Sequence, residues 1–218
     1  APFGLVADVG GGTYPAVVNI LLALMARKQT NEGVHLDIAM SEGAFAFAYW
    51  AHAQGVIAGQ DIGSASARLT GGLARYRLYS ASDGRQIAVG AVEEKFWQAF
   101  CDVIGQPEAL RDDWSDPDAC AAEVARRLGS QPSTHWEPLL IAADCCCSVV
   151  KTPAEAARDP HFTARGVFDR TLNIAGQEVP ALPLPIAPEF RSPAGSAGRA
   201  ATLGEDNVRF GADLRDRE

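Results

Sequence analysis

Two carboxylates stand where a carboxylate can do chemistry. Asp8 lies in Ala7-Asp8-Val9-Gly10-Gly11-Gly12-Thr13, just ahead of an apolar run that reads as a helix. Glycines let a backbone approach a ligand closely, and a helix start offers unpaired N–H groups and the positive end of a dipole. A carboxylate held there as the anion suits a nucleophile or a base. The same residue also reads as a simple helix cap, and taken alone the segment favours the cap. A phosphate-binding P-loop is ruled out, because no Gly-Lys-Ser/Thr follows. Glu93 is the second candidate. Ala88-Val89-Gly90-Ala91-Val92-Glu93 runs from a strand through a glycine into a helix, which places Glu93 on the first turn. The plain reading is an acid that stabilises the helix dipole, and Glu94 fits that reading better still.

The elements that position these groups follow from the apolar pattern. A loop over Ala1 to Gly12 feeds a helix that Thr13 caps, with Pro15 in the first turn, where its missing N–H costs nothing. Val17, Val18, Leu21, Leu22, Leu24 and Met25 predict a largely buried helix, and Arg27 and Lys28 suit its last turn. After a turn at Asn31-Glu32-Gly33, alternation of Val34, Leu36 and Ile38 with His35, Asp37 and Ala39 predicts a strand over Val34 to Met40. An aromatic helix capped by Ser41 runs to about Val56. Gly55 to Ser66, rich in Gly, Ser and Ala, reads as a linker. Beyond it, Tyr76 to Ser80 and Gln86 to Gly90 form a hairpin closed by Ser82-Asp83-Gly84. Helices follow over Glu93 to Ile104, Asp118 to Leu128 and Thr134 to Ala143, then a strand at Cys145 to Val150. A short helix over Thr152 to Arg158 and a hairpin around Gly176 come next. The prolines after Pro180 predict an extended tail lying in solvent.

Composition narrows the partners. The chain has 218 residues, 47% hydrophobic and 21% charged, with a formal net charge of -8. That balance, without any Lys/Arg-rich run, argues against nucleic acid. The apolar stretch Ala16 to Ala26 is broken by Asn19 and is too short to cross a bilayer, so no membrane partner is expected. Ala1 is not expected to be the natural start, and no signal-like pattern follows it. Cys101, Cys120 and the run Cys145-Cys146-Cys147 make an odd count. They suggest neither a disulfide framework nor a shared metal site, and fit reduced thiols in a cytoplasmic protein. A reactive thiol stays open, although no basic neighbour is evident in the sequence.

Three ordered segments resemble the family III CoA-transferases (CaiB/BaiF family), closest to their α-methylacyl-CoA racemase branch. The first joins Asp8-Val9-Gly10-Gly11-Gly12 to Asn19-Ile20-Leu21-Leu22-Ala23-Leu24 and Glu32-Gly33-Val34-His35-Leu36-Asp37. The second runs from Gly71-Gly72 through Tyr76, Tyr79 and Asp83-Gly84 to Val89-Gly90-Ala91-Val92-Glu93 and Lys95-Phe96-Trp97. The third is Asp159-Pro160-His161-Phe162-Thr163-Ala164-Arg165-Gly166, followed by Leu203-Gly204-Glu205-Asp206. The resemblance implies an α/β fold: residues 1–54 as a segment of a Rossmann-like large domain, 55–66 as linker, 67–182 as a smaller α+β domain and 183–218 as a returning tail. It implies a homodimer, interlocked in full-length members.

The resemblance also assigns roles. Asp8 matches the catalytic aspartate, Glu93 the racemase acid that orients a histidine, and Tyr76 a tyrosine lining the site. Gly10, Gly11, Gly71 and Gly72 are expected at the substrate, an acyl-CoA, with no tightly bound cofactor and no metal. The family histidine lies upstream of the Asp8 segment, and none of His35, His52, His135 and His161 matches it; His161 fits a structural loop role. Ala74-Arg75 stands where the racemase pattern has Pro-Phe, and Arg75 is read as solvated or as meeting a CoA phosphate or carboxylate. Three functions compete. A racemase abstracts and returns the α-proton, a CoA transferase works through an aspartyl-CoA intermediate, and a chain lacking the front half of the fold is a non-catalytic remnant. Glu93 and the short Gly71-Gly72 loop favour the racemase.

Overall fold

The computed structural model describes residues 4–59, 62–181, 185–191, 198–207 and 209. The fold is mixed α/β and divides into two compact units, Ala1–Ser148 and Val149–Glu218. That break differs from the 55–66 linker suggested by composition.

The first unit opens with a helix where a loop was expected. Leu5–Thr13 forms wide turns of the π type, with the Val9 N–H donating to the Gly4 carbonyl at 3.0 Å. It runs without interruption into helix α1, Tyr14–Thr30. Thr13 is therefore no cap: its backbone is helical, and its hydroxyl donates to the Asp8 carbonyl at 2.9 Å. Continuity makes one helix of 26 residues, apolar enough by length and composition to cross a bilayer, a test that the core helix of a water-soluble fold also passes. The sequence estimate counted only Ala16 to Ala26 and so came out too short. Nor is α1 buried: Val17, Val18, Ile20, Leu21, Leu22, Leu24 and Met25 are all exposed. The left-handed Asn31 ends it, with Arg27 and Lys28 in its last turn.

The expected strand over Val34 to Met40 does not form; residues 31–39 are irregular and helix α2, Met40–Phe47, begins at Met40. Alternation marks a segment fit for a sheet, but a strand exists only with a hydrogen-bonded neighbour, and none pairs with it among the described residues. Ser41 lies inside α2 rather than capping it, and the single aromatic helix is two, because Ala48 departs from helical geometry before α3, Tyr49–Ala58.

From Leu73 onward the first unit has a true core. Strands β1, Tyr76–Ser80, and β2, Gln86–Gly90, pair antiparallel as the expected hairpin, with Tyr76 opposite Gly90 and Ser80 opposite Gln86. Helices α4 (Glu94–Ile104), α5 (Pro117–Leu128) and α6 (Ser133–Ala143) lead to β3 (Cys147–Val149), which adds to β2. Ile87, Trp97, Phe100, Cys101, Val124, Leu128 and Leu140 fill the interior. Asp83 in the hairpin turn accepts from the Ser133 hydroxyl at 2.6 Å and from its N–H at 2.9 Å, tying the turn to the start of α6.

The second unit holds two short helices, α7 (Pro153–Ala156) and α8 (Pro160–Ala164). Thr152 and Glu155 form a reciprocal capping box at α7. The Asp159 carboxylate caps α8 by accepting from the His161 backbone N–H at 2.9 Å. Strands β4 (Thr171–Ile174) and β5 (Gln177–Pro180) make the hairpin around Gly176, and the tail returns as β6 (Gly198–Arg199), parallel to β4. The expected extended tail is thus partly a strand; Pro183 and Pro193 lie outside the described residues.

Candidate functional site

Asp8 is exposed on the first wide turn of the N-terminal helix. Its three glycines serve packing here. Gly11 is buried against α2 so tightly that an added Cβ would fall 2.5 Å from the Met40 carbonyl oxygen. Gly43, facing it, would meet the Gly11 carbonyl at 2.0 Å. Only a pair without side chains allows the two backbones this approach. A Cβ on Gly10 would instead meet the Phe47 ring at 3.0 Å. The Asp8 carboxylate therefore rides on a turn clamped from behind by α2, with its polar side open.

Gly71 and Tyr76 come together in an open groove of ≈ 710 Å³ along the β1–β2–β3 sheet. Thr70, Arg77, Ala88, Gly90, Cys146 and Ser148 are among the other residues that line it. Gly71 has φ 102°, a conformation that favours glycine, and the Arg77 Nε donates to its carbonyl. Gly72 packs on the Ser66 backbone beside the groove. Gly90 lies directly across from Tyr76, and an added Cβ there would fall 3.1 Å from the Cys146 carbonyl oxygen.

Glu93 lies three residues beyond Gly90. It is the cap residue of α4 and not a member of its first turn: its backbone is extended, and its carbonyl accepts from the Phe96 and Trp97 N–H groups, each at 3.0 Å. Its side chain is exposed and makes no capping bond. Among the described residues no hydrogen bond or ion pair joins Asp8 to Glu93, and Gly10 and Gly11 do not line the Tyr76 groove.

Arg75 corrects the sequence reading most sharply. It is neither solvated nor free for a ligand, but 4% exposed. Its guanidinium donates to Asp113, Nη2 to Oδ1 at 2.7 Å and Nε to Oδ1 at 2.9 Å, and Nη1 donates to Glu94 Oε2 at 2.9 Å. It also lies over the Trp97 ring, 5.1 Å from the centroid. Burial opposes its charge, but the bonds to Asp113 and Glu94 outweigh burial and raise its pKa. Glu94 is held below its ordinary range by bonds from Gln98 and Arg75. The network reaches the site through the backbone, since Arg75 Nη1 and Arg68 Nη2 both approach the Val92 carbonyl, at 3.4 and 3.5 Å, immediately before Glu93. Arg75 thereby braces both Tyr76, its neighbour, and Glu93.

Asp113 was invisible to pattern reading: it is fully buried, 38 residues from its partner, in a segment without periodicity. Arg77 carried a weak signal, as a cation on a strand beside the family tyrosine. The thiols divide by environment. Burial pushes Cys101 and Cys120 up to about 12, whereas Cys145 is lowered to about 7 by its bond with Cys147, which is itself raised. Cys145 is itself fully buried, so its lowered value does not make it a reactive thiol of the kind the sequence left open. No group of three or more His, Cys, Asp or Glu suited to a metal occurs among the described residues.

Comparison with known proteins places this geometry. The profile of CoA-transferase family III matches residues 2–207. An alpha-methylacyl-CoA racemase from Mus musculus is 30% identical over 217 residues, covering 95% of this chain and 54% of that protein. An acetyl-CoA:oxalate CoA-transferase from Acetobacter aceti is 28% identical over 192 residues, covering 83% of this chain and 47% of that protein. The crystal structure of Rv3272 from Mycobacterium tuberculosis shares the fold, with TM-score 0.68, 20% identity, and 96% and 56% of the two chains covered. The chain spans about half the length of the curated relatives it matches.

Proposed function

The chain belongs to CoA-transferase family III, and from that premise we propose that it forms part of an acyl-CoA-processing enzyme, an α-methylacyl-CoA racemase or epimerase. The observation that carries this reading is the run from the Tyr76 groove through Gly90 to Glu93. The strand that lines the groove delivers an exposed carboxylate at the start of α4, braced through Val92. In this reading the acyl thioester lies in the groove against Tyr76, Gly71 and Gly72, while Asp8, Gly10 and Gly11, which stand apart from the groove in this chain, join it in the complete family fold. Asp8 exchanges the proton on the α-carbon: one group removes it, the electron pair moves into the thioester as an enolate, and a proton returns to the opposite face. Glu93 orients the partner base. Coenzyme A enters and leaves as part of the substrate.

A CoA transferase is the second reading, favoured by the similarity to the Acetobacter aceti protein. Asp8 would then attack the thioester carbonyl and expel the CoA thiolate, which returns to the aspartyl carbonyl and releases the free acid. The third is a folded remnant without turnover. We also propose a homodimer in the cytoplasm without membrane attachment, and the division 1–54, 55–66, 67–182 and 183–218 for the complete family fold.

The test is exchange of the α-proton of a 2-methylacyl-CoA with solvent deuterium by a full-length protein carrying this sequence. Asp8→Asn, at an exposed position, should keep the fold and lower the rate by roughly 10³-fold or more, the scale of losing a general base or nucleophile. Acyl-to-acid CoA transfer without exchange moves the assignment to transferase. Turnover by the 218-residue chain itself removes the remnant reading, and normal activity of the Asn variant refutes the role of Asp8.

A further inference from the structure

Arg77 differs from the arginines around it. Arg75, Arg111, Arg126, Arg127 and Arg199 each pair with a carboxylate. Arg77 has no acidic partner among the described residues, although the chain has 27 acidic against 19 basic residues. It is half-buried, lines the groove, and spends only Nε on the protein, through the Gly71 carbonyl. Among the described residues, both terminal amino groups are left without a protein acceptor. The Tyr76 and Ser148 hydroxyls line the same groove and make no side-chain hydrogen bond among the described residues. A forked cation without an acidic partner in a concave wall is the donor that a carboxylate satisfies.

We propose that Arg77 makes an anion subsite in the groove, selecting acyl-CoA thioesters whose acyl group ends in a second carboxylate. The proposal rests on the acyl-CoA reading, which puts Gly71 and Tyr76 at the acyl thioester. Because the Arg77 Nε is anchored on Gly71, the anion it meets belongs to the acyl side. A CoA phosphate offers the same oxygen chemistry and is the source to be distinguished.

The 218-residue chain contains every residue lining the groove. It can be titrated calorimetrically with succinyl-CoA, butyryl-CoA, free CoA and succinate, as the natural sequence and as Arg77→Gln. The natural chain should bind succinyl-CoA about 10- to 100-fold more tightly than butyryl-CoA, the range of a charge-assisted bond. Arg77→Gln should abolish that preference and leave butyryl-CoA unchanged. Equal affinity of the natural chain for the two thioesters overturns the proposal, and this comparison needs no variant. Equal weakening of both thioesters and of free CoA by Arg77→Gln assigns Arg77 to a CoA phosphate and also overturns it. If no thioester binds but succinate binds and is lost in Arg77→Gln, the anion subsite stands and the acyl-CoA reading fails. If neither thioesters nor succinate bind, both fail.

Discussion

Residues 5–58 and residues 73–148 are both rich in apolar side chains and end in opposite environments. In the later region Trp97, Phe100, Val124, Leu128 and Leu140 disappear from solvent between α4, α5, α6 and the sheet. In the earlier one Leu21 is 55% exposed, Leu22 57% and Met25 65%, and Gly11 alone is buried. Periodicity states that a helix has an apolar side, and says nothing of which segment supplies the cover. The later region finds its cover within about seventy-five residues. The earlier one packs on itself only where glycines allow backbone contact, at Gly11 and Gly43. Both candidate carboxylates are exposed, but Glu93 stands at the edge of a braced core while Asp8 stands on a helix with one clamped side.

The contrast breaks first, and with the largest effect, at Asp113. Replacing it by Ala leaves the Arg75 guanidinium charged, buried and without its bidentate partner. Such a loss costs about 3–5 kcal/mol, measurable as a lower denaturant midpoint. Because Arg75 also holds the Val92 carbonyl, Glu93 should loosen with it. The double replacement Arg75→Met with Asp113→Leu should recover most of the stability, as isosteric apolar substitution of a buried pair often does. If Asp113→Ala melts like the natural chain, the later region is not held as described.

What could be read beforehand follows the range of the interactions. The hairpin of β1 and β2 was legible because Asp83-Gly84 and alternating strands lie within fifteen residues. The short helix beginning at Thr152 rests on a shorter range still, whereas the cap that Asp159 makes on α8 was not read from the sequence. The strand over Val34 to Met40 failed because pairing is not a property of one segment, and Thr13 failed as a cap because the helix had already begun at Leu5. The Arg75–Asp113 pair spans 38 residues and follows no period, so the sequence left Arg75 looking free. Asp8 and Glu93 stood out in their local segments, but their catalytic roles, like those of Gly71 and Tyr76, come from family resemblance alone; propensity would have made Asp8 a cap.

A smaller effect is expected in acid. Asp83 is depressed by the Ser133 hydroxyl, and Glu94 by Gln98 and Arg75. Both have folded pKa values below the unfolded ones. Their stabilisation is therefore complete above the unfolded carboxylate range, at about pH 4 and higher, and is lost as pH falls through the folded values. Near-ultraviolet circular dichroism of the buried Trp97 should report the loss. Ser133→Ala should shallow this acid dependence, and an unchanged acid profile in that variant removes Asp83 from the account.

The smallest effect is the one that sharpens the contrast most. Leu22→Ala removes three side-chain carbons from an exposed position of α1, and Ala is the better helix former. Stability should change by no more than about 0.5 kcal/mol. Leu140→Ala, the same chemical change at a site 1% exposed, should cost about 2–5 kcal/mol. The pair isolates cover from composition, since the side chains are identical. Repeating Leu22→Ala in a longer protein carrying this sequence then asks whether something covers α1 there. A cost that rises to the Leu140 value means that α1 is a core helix whose cover lies outside these residues. A cost that stays near zero means that its apolar surface is exposed in the working protein as well, and that Asp8 functions from an unburied helix.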